Sequence, residues 1–365
     1  MSLNASAVSS STPRPKRLGF FTRLLDDTSP QERYRLATEQ IAHAEQWGFD
    51  SAWIAQHHFH RDEGGLPAPL VFLAYVAAHT RHIRLGTGII TLAMENALRV
   101  AEDAAVLDLL SNGRLDIGLG SGGTPSSFVP FGLNIDTRGE AFAKNLEILR
   151  HAWQGKALEG EGNQLYPPAA QLNRRLWQAT FSPEGGARAG AAGDGLMLSR
   201  TQPRPQGQPY LPLDVLQNRI IDAYLEALPD GVEPRILGSR TAFVSDDADE
   251  ARRLAARGLQ KQAATARALA NREVGDSLDD LIATFDVHLG TPAQVTASLQ
   301  RDTALARVTD LAFQVHSIDP PHPYILRSIE LIARHVAPAL GWVRQTPKKI
   351  AKPQPLHYEL SKETL

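Results

Sequence analysis

Cysteine is absent from the 365-residue sequence. Its absence excludes disulfide bonds, thiolate nucleophiles and metal sites with cysteine ligands. The sequence therefore offers no thiol pair for redox chemistry, and we expect any oxidation or reduction by this protein to use a bound cofactor.

An excess of charge is also lacking, because 38 basic side chains face 40 acidic ones and the net charge is −2. Nucleic-acid binding favours a basic surface, and no stripe of Lys and Arg mixed with aromatics occurs. No stretch stays apolar long enough to span a bilayer, and the first residues lack an apolar signal-peptide core. We therefore expect a cytoplasmic enzyme whose partner is a small molecule, not a nucleic acid or a membrane.

Strand-like segments alternate with helical ones along the chain, of which 42% is hydrophobic. The predicted strands cover residues 18–22, 51–55, 83–90, 115–120, 176–181, 196–199, 236–244 and 310–316. Eight strands separated by helices predict the α/β class and a closed (β/α)8 TIM barrel. We predict one barrel domain over residues 17–340, between a disordered N-terminal arm at 1–16 and a solvated C-terminal tail at 341–365.

Local signals support the alternation of strands and helices. Ser29 and Glu32 predict a capping box around Pro30, and Asn112-Gly113 supplies a turn before the next strand. The second half is less regular at residues 157–175, 201–212 and 269–285. We interpret these segments as insertions at the C-terminal rim of the barrel that close over a site.

The residues Gln56-His57-His58-Phe59-His60 follow the second predicted strand. Active sites of parallel barrels lie at the carboxyl ends of the strands, and a histidine there can move a proton near neutral pH. An ordinary surface loop is an equally good interpretation from position alone. A metal site with Asp62, Glu63 and His316 is a weaker one, because adjacent histidines in a loop do not have zinc-site spacing.

The glycine-rich run at residues 118–123 ends the fourth predicted strand. It matches the G-x-G-x-x-G pattern, but it lies on the fourth strand, and no acidic residue ends a second strand at the distance of a dinucleotide site. Glycines at a barrel rim more simply let a planar ligand approach the backbone, and we predict that Gly120 and Ser121 contact a cofactor there. Gly86-Thr87-Gly88 has the same interpretation, with a bend of the barrel as the alternative.

Ser182 and Pro183 follow the fifth predicted strand and begin a helix. Ser182 is a typical N-cap residue, and the free N–H groups of a helix start attract anions. Gly185 and Gly186 would allow close approach. An ordinary capped helix is the alternative, and the location at the rim favours an anion site.

The chain from residue 17 to about 340 resembles the bacterial luciferase-like family of flavin-dependent monooxygenases and reductases. The most specific stretches are residues 50–59, 85–90 and 101–114, and Asp319-Pro-Pro with the helix after it. The resemblance implies a barrel that binds FMN at its C-terminal rim. It also implies that His57 is the acid or base beside the flavin, that Gly88-Ile89 is a cis peptide packed against the flavin ring, and that Ser182, Gly185 and Gly186 bind the phosphate.

Two departures from the luciferase α subunit matter. Gln56 stands where that subunit has Glu, which removes a charge that would raise the pKa of a neighbouring imidazole. Gly120-Ser121-Gly122 replaces Cys-Arg-Gly, so the arginine that would clamp the phosphate is missing. Arg200, Arg204 or backbone groups would have to replace it.

The resemblance implies an FMN-dependent monooxygenase that takes reduced flavin from a separate reductase and oxidises a small organic substrate with O₂. It also implies a homodimer or homotetramer. A deazaflavin-dependent reductase, a non-catalytic flavin-binding protein and a metal-dependent barrel hydrolase remain alternatives. Four aromatic residues are candidates for an apolar substrate pocket, although such residues are more often core: Phe59, Phe128, Phe131 and Trp177.

Overall fold

The computed structural model describes residues 15–208, 210–270, 274–315 and 320–344. Ten strands lie within these ranges: β1 (Arg17–Thr22), β2 (Ser51–Ile54), β3 (Arg84–Thr87), β4 (Ile90–Thr91), β5 (Leu115–Gly120), β6 (Leu176–Ala179), β7 (Gly195–Leu198), β8 (Ile236–Val244), β9 (Val287–Gly290) and β10 (Asp310–Gln314). All of the strand pairings are parallel.

The helices of the described residues surround the strands. They are α1 (Pro30–Gln46), α2 (Pro69–His79), α3 (Ala97–Leu110), α4 (Pro125–Phe128), α5 (Arg138–Trp153), α6 (Pro183–Ala191), α7 (Leu213–Ala227), α8 (Ala248–Ala270), α9 (Leu278–Thr284), α10 (Pro292–Gln300), α11 (Thr303–Arg307), α12 (His322–Leu331) and α13 (Ala337–Ala339). Short 3-10 helices cover Leu92–Met94, Val129–Phe131, Ile135–Thr137 and Ala170–Arg175, and a π-helix covers Ile332–Val336. In the described part of the chain, no helix has the length and apolar character needed to cross a membrane.

The strands close into a ring in the order β1-β2-β3-β5-β6-β7-β8-β10, and β10 pairs with both β8 and β1. This eight-membered ring confirms the predicted (β/α)8 barrel. The third predicted strand is interrupted after Thr87, and its continuation β4 pairs with the upper end of β5. The strand therefore bends at the barrel rim where the sequence reads Gly88-Ile89.

The segment at residues 269–285 is not the rim loop that we predicted. Helix α8 extends to Ala270, and α9 begins after Ser277, whose side chain forms a capping box with Asp280. Strand β9 was also missed. It pairs only with Thr241–Val244 of β8, beyond the residues of β8 that pair with β7. A four-residue strand outside the ring has little sequence signal, because its partner is distant in the chain.

Two tryptophans fill the inside of the barrel. The rings of Trp53 and Trp177 meet edge to face with centroids 5.6 Å apart. Strand positions beside them are glycine: a Cβ on Gly86 would lie 2.2 Å from Trp53 Cε3, and one on Gly195 would lie 2.2 Å from Trp177 Cε3. These inward glycines make room for the indoles, so the lower barrel is packed and a ligand site is left to the rim.

The two ends of the described chain meet at the opposite, N-terminal face of the barrel. Lys16 forms an isolated parallel bridge with Trp342. The Trp342 indole is buried and donates a 2.8 Å hydrogen bond to Asp50. Residues 1–14 and 345–365 lie outside the described part, so the disordered arm, the tail and the domain bounds stay predictions.

Candidate active site

Gln56 joins the end of β2 to the segment after β3. Its side-chain oxygen accepts a 2.7 Å hydrogen bond from the Thr91 N–H, and its amide nitrogen donates to Glu95 at 2.6 Å. A glutamate at this position would place two carboxylates at hydrogen-bond distance and repel. The contact with Glu95 therefore explains why residue 56 is Gln here and not the Glu of the luciferase α subunit.

His57 lies at the rim with most of its side chain buried. Its backbone N–H donates to the Leu66 carbonyl at 2.9 Å, and Gly64 packs so closely that a Cβ would lie 2.4 Å from the ring. Burial lowers the pKa of His57, and the positive charges of Arg23 and Arg200 contribute to the same shift, which brings the pKa to about 3. At neutral pH the imidazole is therefore uncharged.

Gly88, Ile89 and Gly120 come together at the rim above Trp53. The peptide bond between Gly88 and Ile89 is cis, which confirms the geometry that the family resemblance implied. The Ile89 carbonyl accepts a 3.2 Å hydrogen bond from the Gln56 N–H. A Cβ on Gly88 would lie 2.7 Å from the Phe21 ring, and one on Gly120 would lie 2.5 Å from Ile89. The contact of these residues with a cofactor stays a prediction.

Ser182 caps α6 as its sequence predicts, with its hydroxyl accepting a 3.2 Å hydrogen bond from the Gly185 N–H. The glycines of this turn have a packing role. A Cβ on Gly185 would lie 1.9 Å from Thr180 Oγ1, and one on Gly186 would lie 2.6 Å from the Ile220 carbonyl of α7. Their small size is therefore required by the fold and does not by itself indicate a phosphate.

The side chain of Glu184 occupies the start of α6. Its pKa is lowered by hydrogen bonds from its own backbone N–H and from the Ser182 hydroxyl. A phosphate that bound these donors would have to displace the Glu184 carboxylate.

The two arginines that we considered as substitutes for the missing phosphate clamp have different surroundings. Arg204 forms a bidentate ion pair with Asp286, at 2.8 Å to each carboxylate oxygen. Arg200 is buried, and its Nε donates to Gln314 at 2.7 Å. Neither contacts Ser182 in this structure.

The predicted aromatic pocket is divided by the structure. Phe59 and Phe131 pack together at the rim with centroids 5.5 Å apart, and His58 contacts both. Phe128 and Trp177 are buried in the protein interior. The rim pair therefore forms an exposed apolar edge, and the other two residues are core.

A metal site does not form among the residues that the structure describes, since no three His, Cys, Asp or Glu side chains cluster suitably. His60 instead contacts Ser126 at 2.8 Å, and Asp62 pairs with Lys261 at 2.9 Å. His316, another ligand candidate, lies outside the described residues, as does Asp319 of the family motif.

Sequence reasoning missed two buried polar side chains inside the barrel, Ser239 on β8 and Gln314 at the end of β10. Among the residues that the structure describes, the Ser239 hydroxyl and the Gln314 amide nitrogen have no hydrogen-bond partner. A polar residue on an otherwise apolar inward face was the available signal.

The family described as luciferase-like monooxygenase matches residues 18–309. The chain therefore belongs to this family, whose relatives include flavin-dependent monooxygenases and F420-dependent oxidoreductases.

Three comparisons illustrate the range of relatives. The oxygenase component of a flavin-dependent trigonelline monooxygenase from Acinetobacter baylyi is 27% identical over 171 residues, 44% of this chain and 47% of the relative. An F420-dependent glucose-6-phosphate dehydrogenase from Amycolatopsis mediterranei is 29% identical over 44% of this chain and 52% of the relative. The crystal structure of monooxygenase RslO1 from Streptomyces bottropensis superposes with a TM-score of 0.71 and 27% identity, covering 88% of this chain and 99% of that one. The alignments thus span about half of the curated relatives and nearly all of the solved structure.

Proposed function

We propose that this chain is an FMN-dependent monooxygenase that receives reduced FMN from a separate reductase and oxidises a small organic substrate with O₂. The observation that carries the proposal is that a buried, neutral His57 directly follows Gln56, whose backbone N–H is bonded to the Ile89 carbonyl of the cis peptide, at the carboxyl ends of the strands. A trigonelline monooxygenase among the relatives is an oxygenase component, which supports a separate reductase.

The residues at the rim fit a flavin. Gly88 and Gly120 pack against the side chains of Phe21 and Ile89, and the cis peptide between Gly88 and Ile89 lies at the rim where a planar ring would bind. We infer that Gly88, Ile89, Gly120 and Ser121 hold the ring and that Ser182, Gly185 and Gly186 hold the phosphate. Bound reduced FMN supplies the electrons for the activation of O₂.

His57 is positioned to manage a proton. Because its pKa is lowered to about 3, the ring is uncharged at neutral pH and gives up a proton readily once protonated. The ring makes no hydrogen bond within the described part of the chain, so its nitrogens are available to a ligand. We propose that His57 accepts and returns the proton that the oxygenation requires.

The loop after β2 contacts the segment after β5. His60 contacts Ser126 of α4, and His58 and Phe59 pack on Phe131. We propose that this loop covers the site when the ligands are bound, because exclusion of water favours oxygen transfer to the substrate over release of hydrogen peroxide.

The outer faces of α2 and α3 support the expectation of a homodimer or homotetramer. Exposed apolar side chains lie along both helices: Val71, Tyr75, Val106, Leu109 and Leu110. Contiguous apolar surface of this kind is typical of protein interfaces. We propose that a second copy of the chain covers it.

An F420-dependent reductase is the second candidate function, because an F420-dependent dehydrogenase is among the relatives. Equilibrium binding of FMN and F420 to the same preparation distinguishes the two. Tighter binding of FMN is expected, and tighter binding of F420 would reverse the choice.

The main test is to mix the protein, loaded with photoreduced FMN in the absence of oxygen, with O₂ and to follow flavin absorbance and hydrogen peroxide. Free reduced FMN yields peroxide at once. We expect a delay between O₂ addition and peroxide release, since a flavin held at this site would be shielded from water. Reoxidation at the rate of free flavin would contradict the monooxygenase proposal.

The phosphate assignment has a test of its own at Glu184. Because its carboxylate occupies the donors of Ser182, Glu184→Gln should strengthen FMN binding by about threefold. The change Glu161→Gln, at an exposed loop residue, is the matched control. Fluorescence titration measures both, and equal affinities would place the phosphate elsewhere.

A further inference from the structure

Arg200 is a buried guanidinium that no carboxylate neutralises. It is 7% exposed, its Nε donates to the Gln314 oxygen at 2.7 Å, and its Nη1 donates to Thr241 Oγ1 at 3.2 Å. Both partners are neutral, and no ion pair to Arg200 occurs in the described part of the chain. Asp286, the acid that acts on it through space, is engaged by Arg204. A buried cation without a counter-ion is costly unless a ligand supplies one.

Two further donors lie on the same side of the barrel. Since the Gln314 oxygen accepts from Arg200, its amide nitrogen is left as a donor, and this nitrogen is buried without a partner. The Ser239 hydroxyl is also buried without a partner. Gln314 is in register with Thr241, two residues along β8 from Ser239, so these side chains come from adjacent strands.

A second arginine lies near Arg200. Burial lowers the pKa of Arg200, and the neighbouring Arg23 guanidinium lowers it further. The same two arginines lower the pKa of His57. An anion bound beside Arg200 and Arg23 would offset their repulsion and raise the pKa values of Arg200 and His57.

We propose that Arg200, Gln314 and Ser239 form a carboxylate-binding subsite and that the organic substrate is therefore a carboxylic acid. The guanidinium and two neutral donors match the several acceptor sites of a carboxylate. This inference rests on the proposed function for the presence of an organic substrate. In the ring of eight strands, β8 is four places from β3, so the subsite faces the Gly88-Ile89 wall that we assign to the flavin.

The test compares benzoate with benzamide, which differ in charge but little in shape, by isothermal titration of the flavin-free protein. Benzoate should bind at least about tenfold more tightly. Arg200→Met should remove this preference, and the milder Ser239→Ala should weaken benzoate binding by about threefold while keeping the fold. Arg188→Met is the matched control, because Arg188 also donates its Nε to a glutamine oxygen, at 3.1 Å to Gln178, but on α6.

Equal affinity for benzoate and benzamide would overturn the proposal, and so would benzoate binding that survives both Arg200→Met and Ser239→Ala. Repeating the titration with FMN bound shows whether the anion at Arg200 belongs to the substrate or to the flavin. Benzoate binding that persists with FMN bound supports a substrate subsite. If FMN instead prevents benzoate from binding, Arg200 serves the flavin, and the proposal that the substrate is a carboxylic acid is overturned. If FMN does not bind at all, the proposed function fails, and the flavin-free titration still decides whether the carboxylate subsite exists.

Discussion

Two buried histidines, one at the mouth of the barrel and one outside it, show how similar pKa shifts arise in different surroundings. Burial lowers the pKa of His57 to about 3 and that of His288 to about 4. His288 on β9 contacts Ser298 of α10 at 2.8 Å, so its ring has a structural partner. His57 has arginines beside it and no hydrogen bond to its ring within the described residues. A perturbed pKa therefore indicates function only when the group is available to a ligand.

The largest expected difference between the two histidines is in the reaction with O₂. His57→Gln should shorten the delay before peroxide release by about 100-fold, since the buried ring that would hold the proton at the site is lost. His288→Gln should leave the delay within about twofold. Stopped-flow measurement on FMN-loaded variants tests this, with circular dichroism to show that both variants are folded. Equal delays in the two variants would remove His57 from the mechanism.

Acid stability is expected to depend on both histidines. Each has a pKa below the ordinary value of 6.5, so below about pH 6.5 the unfolded chain binds protons that the folded chain does not. The free energy of unfolding should therefore decrease as the pH falls from about 6.5 towards 4, by up to about 1.4 kcal/mol per pH unit for each histidine. Urea unfolding at several pH values measures the slope. His288→Gln should reduce it, and an unchanged slope would mean that His288 is protonated in the folded protein.

NMR should show that anion binding changes the pKa of His57 but not that of His288. Benzoate near Arg200 should raise the pKa of His57 by about one unit, because it offsets the neighbouring positive charge. The pKa of His288 should not move. Histidine ring signals recorded during a pH titration provide the measurement, with benzamide as the control. A parallel shift of both histidines would indicate a general effect of the ligand on stability.

The smallest expected effect is at Ser298. Ser298→Ala removes the partner of the His288 ring and should lower the free energy of unfolding by about 1 kcal/mol. FMN affinity should not change. Thermal unfolding and flavin titration of the same preparation check both statements, and weaker FMN binding would connect the outer helix α10 to the site.

Much of the barrel could be predicted from the sequence, because the strands of the ring carry their own apolar patterns and turn residues. The location of His57 and Ser182 at the rim could also be predicted, since each lies within three residues of the end of a strand, and their roles stay predictions. Ser239 and Gln314 were missed because their importance depends on which side chains meet inside the barrel. The helix α9 and strand β9 were missed because their stability depends on packing against β8 and α8, which no local pattern reveals.

The role of glycine was harder to predict than its presence. Gly185 and Gly186 were interpreted as a phosphate turn, but Thr180 and Ile220 leave no room for a Cβ at either residue. Close packing of α6 against α7 and a ligand site give the same sequence signal. Only the contacts seen in the structure show whether a glycine serves helix packing or a ligand site.

The claim that the mouth of this barrel binds FMN is tested most directly by titration of the purified protein with oxidised FMN and, in the absence of oxygen, with reduced FMN. The positive charge of Arg23 and Arg200 near His57 predicts tighter binding of the reduced flavin, which carries more negative charge. Binding of reduced FMN at least about tenfold tighter than that of oxidised FMN would support the account. Failure to bind either form would contradict it.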